Sequence, residues 1–172
     1  METGFEKDVR MFLAKPPFCL RGISNEDLQL FCTALTHDSY SNEMRDADPP
    51  QNVASYERLE FLGDAIVEFL VCEMAFNDPE LADEGEMTDF KQDAVANRRM
   101  SERIVEKGVD IDGIMRVGGG HINQDRTKDI AENMRADCFE ALVAATYLAY
   151  GMDTAREIVS RMLHERKETP LL

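Results

Sequence analysis

Apolar residues in this chain recur every three to four positions, and that periodicity restricts it to a helical fold. Leu28, Phe31, Cys32 and Leu35 share one face of a segment opened by Ser24, with Asp27 three residues on as the helix-start partner. Leu59, Leu62, Ile66, Phe69 and Leu70 do the same from Ser55 to Phe76, and Asn77-Asp78-Pro79 stops that helix. After an acidic turn at Leu81 to Glu86, one helical pattern continues through Asn97 to Lys107, with Gly108 as its C-terminal cap. Gly118-Gly119-Gly120 marks a loop. A second long helix runs from Lys128 or Asn133 to Tyr150 and ends at Gly151, and Asp153 caps a last amphipathic helix that reaches Arg166. These elements predict an all-α protein.

With 172 residues, 44% of them hydrophobic, the chain can bury one real core. Residues 1–172 are therefore expected to form a single domain. No apolar run approaches the roughly 18 residues of a membrane span, and Met1 to Arg10 carries acids where a signal peptide is apolar. A soluble, cytoplasmic protein without a membrane partner is expected. Cys19, Cys32, Cys72 and Cys138 are scattered and form no C-x-x-C pair, so they are read as reduced thiols, mostly in the core.

The formal charge of −15 argues against a nonspecific nucleic-acid binder. The charge is localised: residues 41–90 hold 14 acids against two arginines. Within that block Glu57, Glu60 and Asp64 are spaced i, i+3 and i+7, on one side of the predicted helix. Asp137 and Glu140 stand i, i+3 on the late helix. Like charges at these spacings cost helix stability, whereas a hard divalent cation turns the repulsion into binding energy. Two such helices packed together make a carboxylate nest for magnesium or manganese. Exposed acids on an acidic protein are the plain alternative, but Leu59, Phe61, Leu62, Phe139, Leu142 and Val143 put both sets beside apolar stripes, where an acid needs a partner.

Glu57-Arg58-Leu59-Glu60-Phe61-Leu62-Gly63-Asp64-Ala65 resembles the nine-residue signature of the ribonuclease III family. Further matches follow in order: Ala34-Leu35-Thr36-His37 with Ser39-Tyr40, Glu84-Gly85, Val95 with Asn97, and Ala136-Asp137-Cys138-Phe139-Glu140-Ala141-Leu142. The resemblance covers about residues 5–166 and implies a ribonuclease III-like helical endonuclease domain acting as a homodimer on double-stranded RNA. It assigns the metal-binding and catalytic roles to Glu60, Asp64, Asp137 and Glu140, places Glu57 and Glu84 as secondary acids near the cleavage site, and implies a magnesium cofactor, with manganese as a substitute. Phe61 matches the aromatic that enters a socket on the second subunit; a plain core aromatic is the other reading. The implied products carry 5′-phosphate and 3′-hydroxyl ends with a short 3′ overhang, which suits RNA processing, including rRNA processing.

The C-terminal double-stranded-RNA-binding domain that longer relatives append is not expected here, and a separate RNA-binding protein is expected as a partner in its place. Asp38 and His121 also differ from the family's usual residues. Arg98, Arg99, Arg126 and Lys128 are the candidate RNA contacts, with Arg103, Arg116 and Arg135 adding positive surface. Three other chemistries fit less well: helical pyrophosphatases lack the Phe61-Leu62-Gly63-Asp64 context, a di-iron bundle needs Glu-x-x-His pairs, and the lone His37-Asp38 pair is weak grounds for a phosphohydrolase. His37 is read as a helix-end or core histidine. A catalytically silent ribonuclease III-like module for RNA binding or dimerisation remains the non-enzymatic alternative.

Overall fold

The computed structural model describes residues 2–163. There the chain forms nine α-helices: α1 (Gly4–Leu13), α2 (Asn25–Ala34), α3 (Asp38–Asp46), α4 (Glu57–Asn77), α5 (Glu84–Val95), α6 (Asn97–Glu106), α7 (Ile111–Ile114), α8 (Glu132–Tyr150) and α9 (Met152–Leu163). No β-strand occurs among the described residues. Two isolated bridges, Thr36 with Arg116 and Ile122 with Lys128, pin the loops around the glycine-rich segment.

The hub is α8, which packs against α2, α4, α6, α7 and α9. Its alanine-rich sequence explains this position. Small side chains at Ala136, Ala141, Ala144 and Ala145, all fully buried, allow neighbours to approach on every side, while Phe139, Leu142 and Val143 fill the space between them. The most extensive partner is α4, which buries Leu59, Ile66, Val67, Leu70 and Val71. Gly63 decides how close the two helices come: a Cβ there would lie 1.9 Å from the carbonyl oxygen of Glu140. A mid-helix glycine costs about 1 kcal/mol of helix propensity, and here it lets the two acid-bearing helices touch backbone to backbone.

Several expectations shift by a residue or more. The pattern expected to run unbroken to Lys107 splits at Ala96, whose extended backbone (φ −63°, ψ 126°) turns the chain so that α6 lays Met100, Ser101 and Ile104 against the core. Arg103 accompanies the break, donating to the freed carbonyl of Ala94 and to Asp93. Asp153 does not cap the last helix but lies in its first turn, pairing with Arg156. The expected end at Arg166 falls outside the described residues. Ser24 does cap α2, accepting from the Asp27 amide at 3.0 Å, and Gly151 ends α8 with φ 84°, a conformation that other residues rarely adopt. Helices α1 and α3 were not anticipated. The first is opened by a reciprocal Thr3–Glu6 capping box, a sequence signal that was legible. The second is mostly polar, with only Tyr40 and Met44 among its nine residues to mark an apolar period, and has no buried residue. Of the cysteines, only Cys32 and Cys138 are buried; Cys19 and Cys72 are exposed, against the expectation that most lie in the core.

Candidate metal centre and active site

Packing of α4 on α8 through Gly63 brings together acids that are 77 and 80 positions apart in sequence from Glu60. Carboxylate oxygens of Glu60, Asp137 and Glu140 lie within 4.8 Å of one another. Glu140 is the extreme case: it is 6% exposed, and no described residue donates a hydrogen bond to its carboxylate. Burial, reinforced by the charges of Asp64, Asp137 and Glu60, pushes its pKa up to about 8. Asp137 is raised to about 6 by burial and by Glu60. Glu60 is raised as well, by burial first and then by Asp64 and Glu57.

Asp64 and Glu57 are exposed and lie outside this three-acid group, although the charge of Asp64 bears on both Glu60 and Glu140. Glu84 is not part of this group either: it sits in the exposed first turn of α5, where Thr88 donates to it at 3.2 Å. Three carboxylates that resist ionisation together, with no cationic partner among their hydrogen bonds, form a donor set suited to a hard divalent cation. Magnesium and manganese prefer oxygen ligands of this kind, and a cation removes the repulsion that raises these acids.

Neutral side chains complete the surroundings. Tyr56, the residue before α4, is 5% exposed and sits one turn before Glu60. Burial, with smaller contributions from Asp137, Cys138, Asp38 and Glu60, holds its phenol well above the usual tyrosine range. Asn97, the first residue of α6, donates from Nδ2 to Asp137 Oδ1 at 3.4 Å. His37 caps α3, accepting from the Ser39 amide at 3.2 Å, and its ring stands edge-on to Tyr56 and to His121 at 5.5 and 5.2 Å. Burial lowers its pKa. Its Nδ1 already lies 3.0 Å from Asp38, and neither residue joins a convergent metal-ligand group among the described residues.

The candidate RNA contacts separate into three kinds. Lys128 places its ammonium 2.7 Å from the carbonyl oxygens of both Gly113 and Met115, and burial lowers its pKa; it is a strut that closes the loop before α8. Arg98 pairs with Glu102, and Arg99 with Asp93 and Glu102. Arg126 is exposed, at φ 67° in the loop tip, with no acidic partner among the described residues. Arg116 and Arg135 are also structural: the first bonds the Thr36 hydroxyl, the second grips Asp112 with two bonds of 2.7 Å and reaches Ser101.

Phe61 is 81% exposed, which removes the core-aromatic reading. It begins an apolar stripe along the outer face of α4, continued by Ala65, Phe69, Cys72 and Phe76 at helical spacing. Phe69 and Phe76, 53% and 78% exposed, join Met87 of α5 in lining a groove of about 560 Å³. Sequence reasoning overlooked Tyr56 and the contact role of Gly63. The glycine carried a signal, since a helix-weakening residue inside an otherwise strong helix marks a close approach.

A family model described as Ribonuclease-III-like matches residues 27–166. Among curated proteins, the chain is 39% identical over 136 residues to a Ribonuclease 3 of Onion yellows phytoplasma, an alignment covering 79% of this chain and 52% of that protein. It is 36% identical to a Ribonuclease 3 of Clostridium acetobutylicum, covering 81% of this chain and 56% of that one. The chain thus spans about half the length of the curated relatives it matches. A crystal structure of the nuclease domain of ribonuclease III from Campylobacter jejuni shares the fold, with a TM-score of 0.68 at 22% identity, covering 100% of this chain and 99% of that one. A second structure of that nuclease domain, described for flexibility in a region involved in dimer formation, aligns with a TM-score of 0.65 at 24% identity over 81% of this chain and 87% of that one. The helical architecture, the paired acid-bearing helices and these matches lead to one conclusion: the chain belongs to the ribonuclease III-like family.

Proposed function

We propose that this protein is a magnesium-dependent endoribonuclease that cuts double-stranded RNA as a homodimer in cytoplasmic RNA processing. The observation that carries the proposal is the convergence of Glu60, Asp137 and Glu140, three acids kept reluctant to ionise in the absence of a cation. These three would hold magnesium, or manganese in its place, with Asp64 at the open edge to receive and orient the attacking water. When bound, the ion supplies charge stabilisation at the scissile phosphate and a lowered pKa for water. The protein's own contribution is geometric. Glu140, locked in the α8 backbone against Gly63, fixes the depth of the centre, and Glu60 and Asp137 bracket it from two helices. Hydrolysis in this arrangement leaves a 5′-phosphate and a 3′-hydroxyl.

The α4 stripe supports the dimer. Phe61, Phe69 and Phe76 together expose more aromatic surface than a lone helix face of a monomer comfortably leaves in water, and the neighbouring groove offers an apolar cavity for a partner's aromatic ring. Because Phe61 is adjacent to Glu60, pairing along this face sets two centres near one shared valley. Duplex RNA would be recognised there by A-form shape, through phosphates and 2′-hydroxyls, with Arg126 the best-placed of the candidate cations. Glu57 and Glu84 would act as secondary acids along the RNA path. The test is incubation of a long RNA duplex with wild type and Glu140→Gln, each with magnesium and with chelator, followed by sizing and end analysis. Discrete duplex products from wild type with magnesium alone support the proposal; no cleavage by a magnesium-loaded, dimeric wild type favours a catalytically silent module.

A further inference from the structure

Asn97 occupies a position where its residue type is hard to explain by local structure. It is the first residue of α6, whose N-cap is Ala96 and whose start carries no side-chain cap. At such a position an acid is favoured by the helix dipole and asparagine adds little. The chain has 34 acids, yet places a neutral amide here. That amide extends away from its own helix to α8, where Nδ2 meets Asp137 Oδ1 across 40 positions of sequence. The break at Ala96 makes the contact available, because a helix continuing straight from α5 would not start a new turn at this point.

Of the three acids, Asp137 is the one that a side-chain donor reaches among the described residues. Glu140 is enclosed by the α4–α8 packing, and Glu60 stands on the same helix as its acidic companions. Asp137 is only half-buried, and rotation of its carboxylate would exchange the oxygen that faces Glu60 and Glu140. A donor on one oxygen breaks that equivalence and leaves the other for the cation, the way outer hydrogen bonds orient metal-ligating carboxylates. An acid at position 97 would instead add a further negative charge beside Asp137.

Resting on the metal-centre reading above, we propose that Asn97 is a positioning residue: its side-chain amide orients the Asp137 carboxylate for divalent-cation binding. The bond is long at 3.4 Å, so it steers the carboxylate rather than holding it rigidly.

The experiment measures manganese binding to the full chain by titration calorimetry without RNA, for wild type, Asn97→Ala, Asn97→Ser and Asn97→Gln, alongside unfolding in chelator. Asn97→Ala is expected to weaken manganese binding roughly tenfold, with chelator-state unfolding within about 2 °C of wild type. Asn97→Gln, which keeps an amide of slightly longer reach, should recover most of the affinity. In cleavage, the magnesium concentration for half-maximal rate should rise while the rate at saturating magnesium and the KM for RNA stay near wild type. Wild-type manganese affinity in both Asn97→Ala and Asn97→Ser overturns the proposal, as does a loss that follows reduced chelator-state stability and is not recovered by Asn97→Gln. A wild type that binds no divalent ion removes the metal-centre reading itself, and the role of Asn97 falls with it; normal binding by wild type and by all variants removes the role of Asn97 alone.

Discussion

Replacing Glu140 with glutamine should stabilise the cation-free protein by an amount that grows with pH. The carboxyl is 6% exposed and its pKa stands at about 8, against an ordinary value of 4.5. A raised carboxyl pKa means that the folded protein holds a proton that the unfolded chain releases. The stability linked to that proton is fully present below about pH 4.5 and is lost as pH rises through about 8. The loss is about 1.4 kcal/mol per pH unit, or roughly 3 kcal/mol by pH 7 and roughly 5 kcal/mol once the group is ionised. Glutamine has nearly the same shape and no proton to lose. In chelator, at fixed protein concentration, unfolding of the two proteins by urea should therefore converge near pH 4.5 and separate by about 3 kcal/mol at neutral pH, with the variant more stable. In melting temperature this is roughly 6–12 °C for a domain of this size. Millimolar magnesium should raise wild-type stability more than that of the variant, which keeps Glu60 and Asp137, and so narrow the gap. Parallel pH profiles for the two proteins in chelator would show that Glu140 is not held protonated by its surroundings, and the electrostatic account of the centre would fail with that result.

Phe61→Ala should weaken the proposed dimer at least about 100-fold in Kd, since each interface loses two buried aromatic rings; sedimentation equilibrium measures it, and a wild type that is monomeric at micromolar concentration refutes the stripe as an interface. Gly63→Ala should destabilise the fold by roughly 2–4 kcal/mol despite better helix propensity, because its Cβ meets backbone of α8 that cannot move aside; unchanged unfolding would mean that the α4–α8 approach is not tight. Glu140→Gln should bind RNA duplex only when calcium or magnesium is present, with affinity falling steeply as monovalent salt rises and with no comparable binding to a DNA duplex. Equal affinity for both duplexes in a filter-binding or anisotropy assay, or tight RNA binding in chelator, would move recognition away from the acidic valley.

The helical class, the two long helices and the identity of the clustered acids were legible in the chain because each depends on local information. Apolar spacing of three and four residues specifies α4 and α8 without reference to anything distant, and i, i+3 spacing puts Glu57 with Glu60 and Asp137 with Glu140 on shared faces. The nine-residue block around Gly63 added the family resemblance. What periodicity could not supply was the meeting of the two helices. That depends on the Gly63 contact with Glu140, a matter of one missing methyl group, and it selects Glu60, Asp137 and Glu140 as the convergent set while leaving Asp64 at its edge. The fates of the cations were equally non-local: Lys128 and Arg126 are two positions apart in sequence, but the first is bound to two backbone carbonyls and the second is exposed at the loop tip. The same holds for the break at Ala96, where α6 gains more by turning its apolar face onto α8 than by extending α5. Local periodicity records which residues can share a face; only close packing in three dimensions decides which faces meet, how near they come, and which charges are left without water.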